Sequence, residues 1–149
     1  MLVRTHFSIS IFAMILFLPL VNSPVIFIIM VLLGTFLPDI AAILVQVEKR
    51  QNKLIHFISI HHNFLHSLTI CLLVSIIFSI FIPILAFGFF LGYSLHLLAD
   101  SFTKTGITPF WPYPRKIEGP LNYGSVVEKS LFFTFVILDV LLLFFTLTK

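Results

Sequence analysis

The sequence predicts an all-α fold, a polytopic membrane helix bundle of about five transmembrane helices forming one domain over residues 1–149. Three observations predict it. The chain is 59% hydrophobic and only 10% charged, with a mean hydropathy of +1.13, and a soluble domain of this size keeps too much exposed area to hide such a surface. Its apolar residues come in long, nearly uncharged runs, the mark of membrane spans. Prolines then divide those runs at intervals that suit a bilayer.

The first run, Phe7 to Leu37, is broken by "VNSP". Ser23 is a helix-capping residue and Pro24 suits a first turn, so the run reads as a tight helical hairpin. The alternative is a cleaved leader, since a basic start and an apolar stretch precede small residues. Pro24 after the best cleavage point, Ser23, speaks for a retained span. The second run, Ser67 to Leu98, would be about 48 Å long as one helix at ~1.5 Å per residue. A hydrocarbon core is only ~30 Å thick, and Pro83 is where the run can fold in two. The last run is Leu131 to Leu147. Extended to bilayer length, the spans cover approximately 5–22, 24–43, 61–81, 83–101 and 129–147.

Composition also excludes classes of function. A net charge of +3 gives no footing for nucleic acid. The single cysteine, Cys71, lies in an apolar run and reads as a small buried residue. No internal repeat or low-complexity linker is present.

Five spans place Arg4, Lys49, Arg50, Lys53, Lys104, Arg115, Lys116 and Lys129 on one side, and only Lys149 on the other. The positive-inside rule makes the basic side cytoplasmic. The expected topology is multi-pass, N-in, C-out.

That topology gathers chemistry. His6 opens the first span, Asp39 closes the second, His61, His62 and His66 open the third, His96 and Asp100 end the fourth, and Glu128 begins the fifth. All fall at one membrane face. Ionisable residues at such depth are expensive and usually functional. Asp39 and Asp100 also lie toward helix C-termini, where the macrodipole disfavours negative charge. A divalent cation offsets both penalties, and imidazole with carboxylate is a ligand set that zinc and related ions accept. His62 with His66, and His96 with Asp100, are spaced i, i+4 and so share a helical face.

Blander readings stand beside these. Asp39 after Pro38 is a common turn pairing, and His6 could be an interfacial side chain. His56 reads as solvated. His61 and His62 compete for one role. Ser125 and Glu128 form the S-x-x-E pattern of a capping box, and Thr103 could simply cap the fourth span. Arg115 and Lys116 are ordinary positive-inside charges that could also hold phosphate. Asp139, in the middle of the fifth span, has no obvious partner at its depth and reads as structural.

The segments "THFSIS", "LPDIA", "HHNFLHSL", "GYSLHLLADSFTKTGITPFWPYP" and "GSVVEK" occur in this order. Together they resemble the LexA-regulated, inner-membrane-associated metal-dependent hydrolase family. Its pattern is an early His, then Leu-Pro-Asp, His-Arg-Gly-x-x-His-Ser, and Gly-Tyr-x-x-His-x-x-x-Asp followed by Thr, Gly and Trp-Pro. These elements fall on His6, Leu37-Pro38-Asp39, His61 to Ser67, Gly92 to Asp100, Thr103, Gly106 and Trp111-Pro112. The match covers most of the chain. His62 and Asn63 stand where the family tends to have Arg and Gly, and Ala41 where a second Asp often follows.

The resemblance implies a membrane-bound, metal-dependent hydrolase. Metal ligands would come from His6, Asp39, His61, His66, His96 and Asp100, with Asp39, His66 and Asp100 serving catalysis. Six ligands exceed the ~3 protein ligands of a catalytic zinc, so one or two divalent ions are expected, zinc first among them. Two-metal sites suit phosphoesters, and the depth of the site suggests an amphiphilic, phosphate-containing or lipid-linked substrate among the membrane lipids. Arg115, Lys116 and Glu128 are the candidate substrate contacts. A non-catalytic metal-binding membrane protein is the alternative, with an ion transporter less favoured because polar residues do not continue across the membrane.

Overall fold

The computed structural model describes residues 1–47 and 62–148. Among these residues the chain is all-helical: α1 (Val3–Phe17), α2 (Pro24–Val47), the single turn α3 (His62–Leu65), α4 (Leu68–Phe81), α5 (Pro83–Ser101) and α6 (Val126–Leu147). Three stretches are long and apolar enough to cross a membrane: Val3–Leu20, Pro83–Ser101 and Val126–Leu147. Pro24–Ile40 and Leu68–Phe81 are apolar but shorter.

Proline sets the hairpins. A 3₁₀ turn, Leu18–Leu20, ends α1. Pro24 then opens α2, where the Ser23 carbonyl accepts the Phe27 N–H at 3.0 Å. Pro83 occupies the first turn of α5 two residues after the end of α4, with Ile82 between them as the shared cap. Pro38 does not end α2: the helix runs through it to Val47. A proline there removes one backbone hydrogen bond, the one otherwise accepted by Gly34.

The stretch 62–81, expected as part of one span, is divided. Ser67 is extended (φ −125°, ψ 141°), and its hydroxyl accepts from Ile70 N–H to cap α4. The same hydroxyl donates to the Phe64 carbonyl at 2.7 Å, closing the preceding turn. His66 therefore sits in a break between two helical pieces.

Glycine brings α2 and α5 together. A Cβ at Gly92 would strike the Val31 carbonyl oxygen, one at Gly34 the Phe89 carbonyl, and one at Gly88 would lie 2.9 Å from the Phe27 carbonyl. Gly88 and Gly92 form a G-x-x-x-G pair, a spacing that lets membrane helices approach backbone to backbone. Met30, Cys71, Phe89, Tyr93, Leu97 and Ile107 form the buried core. Helix α1 lies against α2 through the Thr35 hydroxyl, 2.8 Å from that of Ser10. Its other side meets α6, where Phe12 packs edge-on against Phe135.

The connection between α5 and α6 is folded back on itself. Ile107 and Ile117 exchange backbone hydrogen bonds of 3.0 and 2.9 Å, and Gly119 N–H donates to the Thr103 carbonyl at 2.9 Å. Its tip reaches the start of α4, where the Pro109 carbonyl accepts the Thr69 N–H at 3.2 Å. The first N–H groups of a helix have no partner within it, so this contact satisfies one of them.

Candidate metal centre

Asp100, in the last turn of α5, is the hub. Its Oδ1 lies 3.1 Å from His6 Nε2 and 2.5 Å from the Met1 amino nitrogen. Its Oδ2 lies 3.3 Å from His96 Nε2 and 3.7 Å from His66 Nε2. Asp39 Oδ1 is 3.8 Å from the same nitrogen of His96. Helices α1, α2 and α5 and the α3–α4 break thus each deliver a ligand-type atom to one place. Five residues expected from the sequence, His6, Asp39, His66, His96 and Asp100, are brought together.

Local structure explains each placement. His96 and Asp100 are one turn apart on the buried face of α5, as their spacing requires. His6 is on the face of α1 that also buries Ser10 and Ala13. Asp39 follows Pro38, which is fully buried against the bundle. His66 is positioned by Tyr93, whose buried hydroxyl donates to the Leu65 carbonyl. That anchor was not read from the sequence, although Tyr93 lies within the "GYSLH" segment and its burial gives its hydroxyl a need for a partner.

The polar atoms are poorly satisfied by the protein. Both ring nitrogens of His96, Nδ1 of His6 and Oδ2 of Asp39 are buried and make no hydrogen bond among the described residues. Leaving a buried polar group unsatisfied costs about 1–3 kcal/mol, so a concentration of them at one point calls for a shared partner. The donors fit a divalent cation. His6, His96 and Asp100 offer atoms within 4.8 Å of one another, and so do Asp39, His66 and His96. Tetrahedral bonds of ~2.0–2.1 Å put neighbouring ligand atoms roughly 3.3 Å apart, close to the separations around Asp100. The two oxygens of Asp100 face different partners, which suits a carboxylate shared between two positions.

The remaining candidates lie elsewhere. Glu128, buried at the start of α6, accepts from Leu2 N–H, from Gly124 N–H at 2.6 Å and from the Thr5 hydroxyl at 3.5 Å. The Ser125 hydroxyl accepts from Glu128 N–H at 3.3 Å. This is a helix cap of the expected kind, with the carboxylate reaching one residue beyond the capping serine and across to the start of α1. Arg115 and Lys116 are exposed in the α5–α6 connection, and Lys116 pairs with Glu118 at 2.8 Å. Thr103 donates to the Asp100 carbonyl at 2.7 Å, capping α5. Asp139 belongs to neither group of candidate ligands; its Oδ1 is buried without a hydrogen bond among the described residues. His56 and His61 lie outside the described residues, as does the side chain of His62.

Residues 1–148 match the YdjM inner membrane protein family, and the chain belongs to it. No curated protein matches the chain, and no solved structure does.

Proposed function

We propose that this member of the YdjM family is a metal-dependent hydrolase acting at the cytoplasmic face of the inner membrane on a phosphoester or lipid-linked substrate. The observation that carries the reading is Asp100, whose two carboxylate oxygens lie against three imidazoles, while Nδ1 of His96 is buried without a hydrogen-bond partner among the described residues. Such a set of imidazoles and carboxylates suits zinc, as one ion or two. A divalent ion held there would lower the pKa of a bound water to about 7 and polarise a phosphoryl or acyl oxygen.

Each residue then has a role. His6, His96 and Asp100 would form one set of ligands and Asp39, His66 and His96 another; because both use His96, they would be alternative seats around one imidazole. Any His or Asp of the cluster left outside the ligand set would be available to accept a proton. Arg115, exposed on the basic side of the expected N-in, C-out topology, would be available to an anionic head group, whereas Lys116 would have to leave Glu118 to join it. Burial of the site within the helix ends favours an amphiphile over a soluble substrate.

A non-catalytic reading has its own support. His6 and the Met1 amino group both approach Asp100, tying α1 to α5, and a metal or ion-pair clasp would need nothing more. Hydrolysis separates the two. Activity against a panel of lipid phosphates, lost in Asp39→Ala and Asp100→Ala while both variants stay folded, is the expected result. Purified wild-type protein without bound metal by elemental analysis would refute the hydrolase reading.

A further inference from the structure

Helix α4 is short for a span. Its 14 residues extend about 21 Å at ~1.5 Å per residue, against a hydrocarbon core ~30 Å thick. Its outward residues Leu72, Leu73, Ile76 and Ile77 are exposed, so in a bilayer hydrocarbon is their solvent. A span shorter than the bilayer relies in part on flanking residues that reach the interface. The start of α4 has such a group beside it: the tip of the α5–α6 connection, "PFWPYPRK", residues 109–116.

The tip is fastened in that place. The Pro109 carbonyl accepts from both the N–H and the hydroxyl of Thr69, at 3.2 and 3.4 Å. Trp111 meets the Phe64 ring of α3 edge-on, with centroids 4.8 Å apart. Phe110, 56% exposed, borders the same shallow depression as Leu72, Leu73 and Ile76, so its ring continues the outward apolar surface of α4. Tyr113 is 65% exposed, and Arg115 is exposed two residues further on. Lys116 is held by Glu118, whereas Arg115 has no ion pair among the described residues. The tip thus passes from apolar ring to phenol to guanidinium, the order of polarity met on leaving a bilayer.

We propose that this tip is seated in the lipid leaflet beside α4, with Phe110 at the edge of the hydrocarbon and Arg115 on the phosphate of an anionic phospholipid. Aromatic residues with a polar edge collect at that boundary. A guanidinium matches phosphate through paired hydrogen bonds, and an anionic leaflet draws basic segments to its surface. The seat does not rest on the metal-centre reading.

Trp111 is the chain's one tryptophan, so the tip carries its own reporter. The test uses the full-length protein in nanodiscs of phosphatidylcholine and phosphatidylglycerol in equal parts, with bromine high on the acyl chains of one lipid at a time. Both brominated lipids are expected to quench Trp111 fluorescence, and aqueous iodide is not. Brominated phosphatidylglycerol should quench at least about twofold more strongly, since a basic residue enriches anionic lipid around it. Arg115→Glu should equalise the two lipids with melting in detergent unchanged, and Arg115→Gln should do so in part. Phe110→Ser should weaken quenching by both. The same pattern is expected in metal-free protein. Quenching by iodide and by neither lipid would overturn the seat, and equal quenching by the two lipids in wild type would overturn the Arg115 contact.

Discussion

The imidazole rings of His6 and His96 stack with their centroids 4.1 Å apart and their planes 15° from parallel. Both rings turn Nε2 toward the carboxylate of Asp100.

Asp100→Asn tests the hub directly. Changing even an outer partner of a metal ligand costs about 10- to 100-fold in affinity. Loss of the central carboxylate is expected to cost no less, so zinc retained after dialysis should fall at least about tenfold by elemental analysis. Asp39→Asn, one step from the hub, should retain more zinc than Asp100→Asn. Equal retention in Asp100→Asn and wild type would place the ion elsewhere.

Glu128→Gln separates structure from chemistry. The carboxylate holds two backbone N–H groups on different parts of the chain, and hydrogen bonds to a charged group contribute about 1.5–3 kcal/mol. The glutamine keeps one acceptor oxygen, so thermal stability in detergent should drop by a few degrees. Metal content should change less than in Asp100→Asn. A variant with wild-type melting that has lost hydrolysis would make Glu128 a substrate contact instead.

Gly92→Leu should abolish the fold. Any Cβ there meets the Val31 backbone, and an overpacked site costs about 1–3 kcal/mol even when side chains can yield. Backbone yields less, so the expected outcome is aggregation on size-exclusion chromatography. Recovery of monodisperse Gly92→Leu would mean that α2 and α5 can part without loss of structure.

Topology is testable without activity. Basic residues expected on one side predict a cytoplasmic start and an external end. Lys149→Cys in a Cys71→Ser background should react with an impermeant maleimide in intact cells, whereas Arg115→Cys should react only after lysis. The opposite pattern would move the His/Asp cluster to the external face.

Much of the architecture was legible because membrane spans announce themselves by composition. Pro24 and Pro83 open helices where the sequence suggested, and the His/Asp convergence followed from assigning alternate helix ends to one face. Other features depended on contacts between distant segments. The break at Ser67 arises because its hydroxyl serves Ile70 and Phe64 at once, and the start of the apolar run at Ser67 gives no sign of this. The spacing of Gly88 and Gly92 was not read from the sequence, and only the fold identifies α2 as their partner. Tyr93 was visible as part of a motif, and its task of fixing the backbone before His66 was not. Glu128 had a capping pattern in plain view; its reach to Leu2 depended on α1 lying alongside α6.

The Thr69–Pro109 hydrogen bond has a bearing on how the molecule would come apart. Segments on either side of exposed Arg115 and Lys116 are joined by Ile107–Ile117 and Thr103–Gly119 backbone bonds, and the near segment is also fastened to α4. A tryptic nick at this tip would sever the polymer without releasing either portion. The two fragments should migrate as one particle until detergent or heat melts the bundle, which makes this tip a natural place to split the protein for reassembly from separate halves.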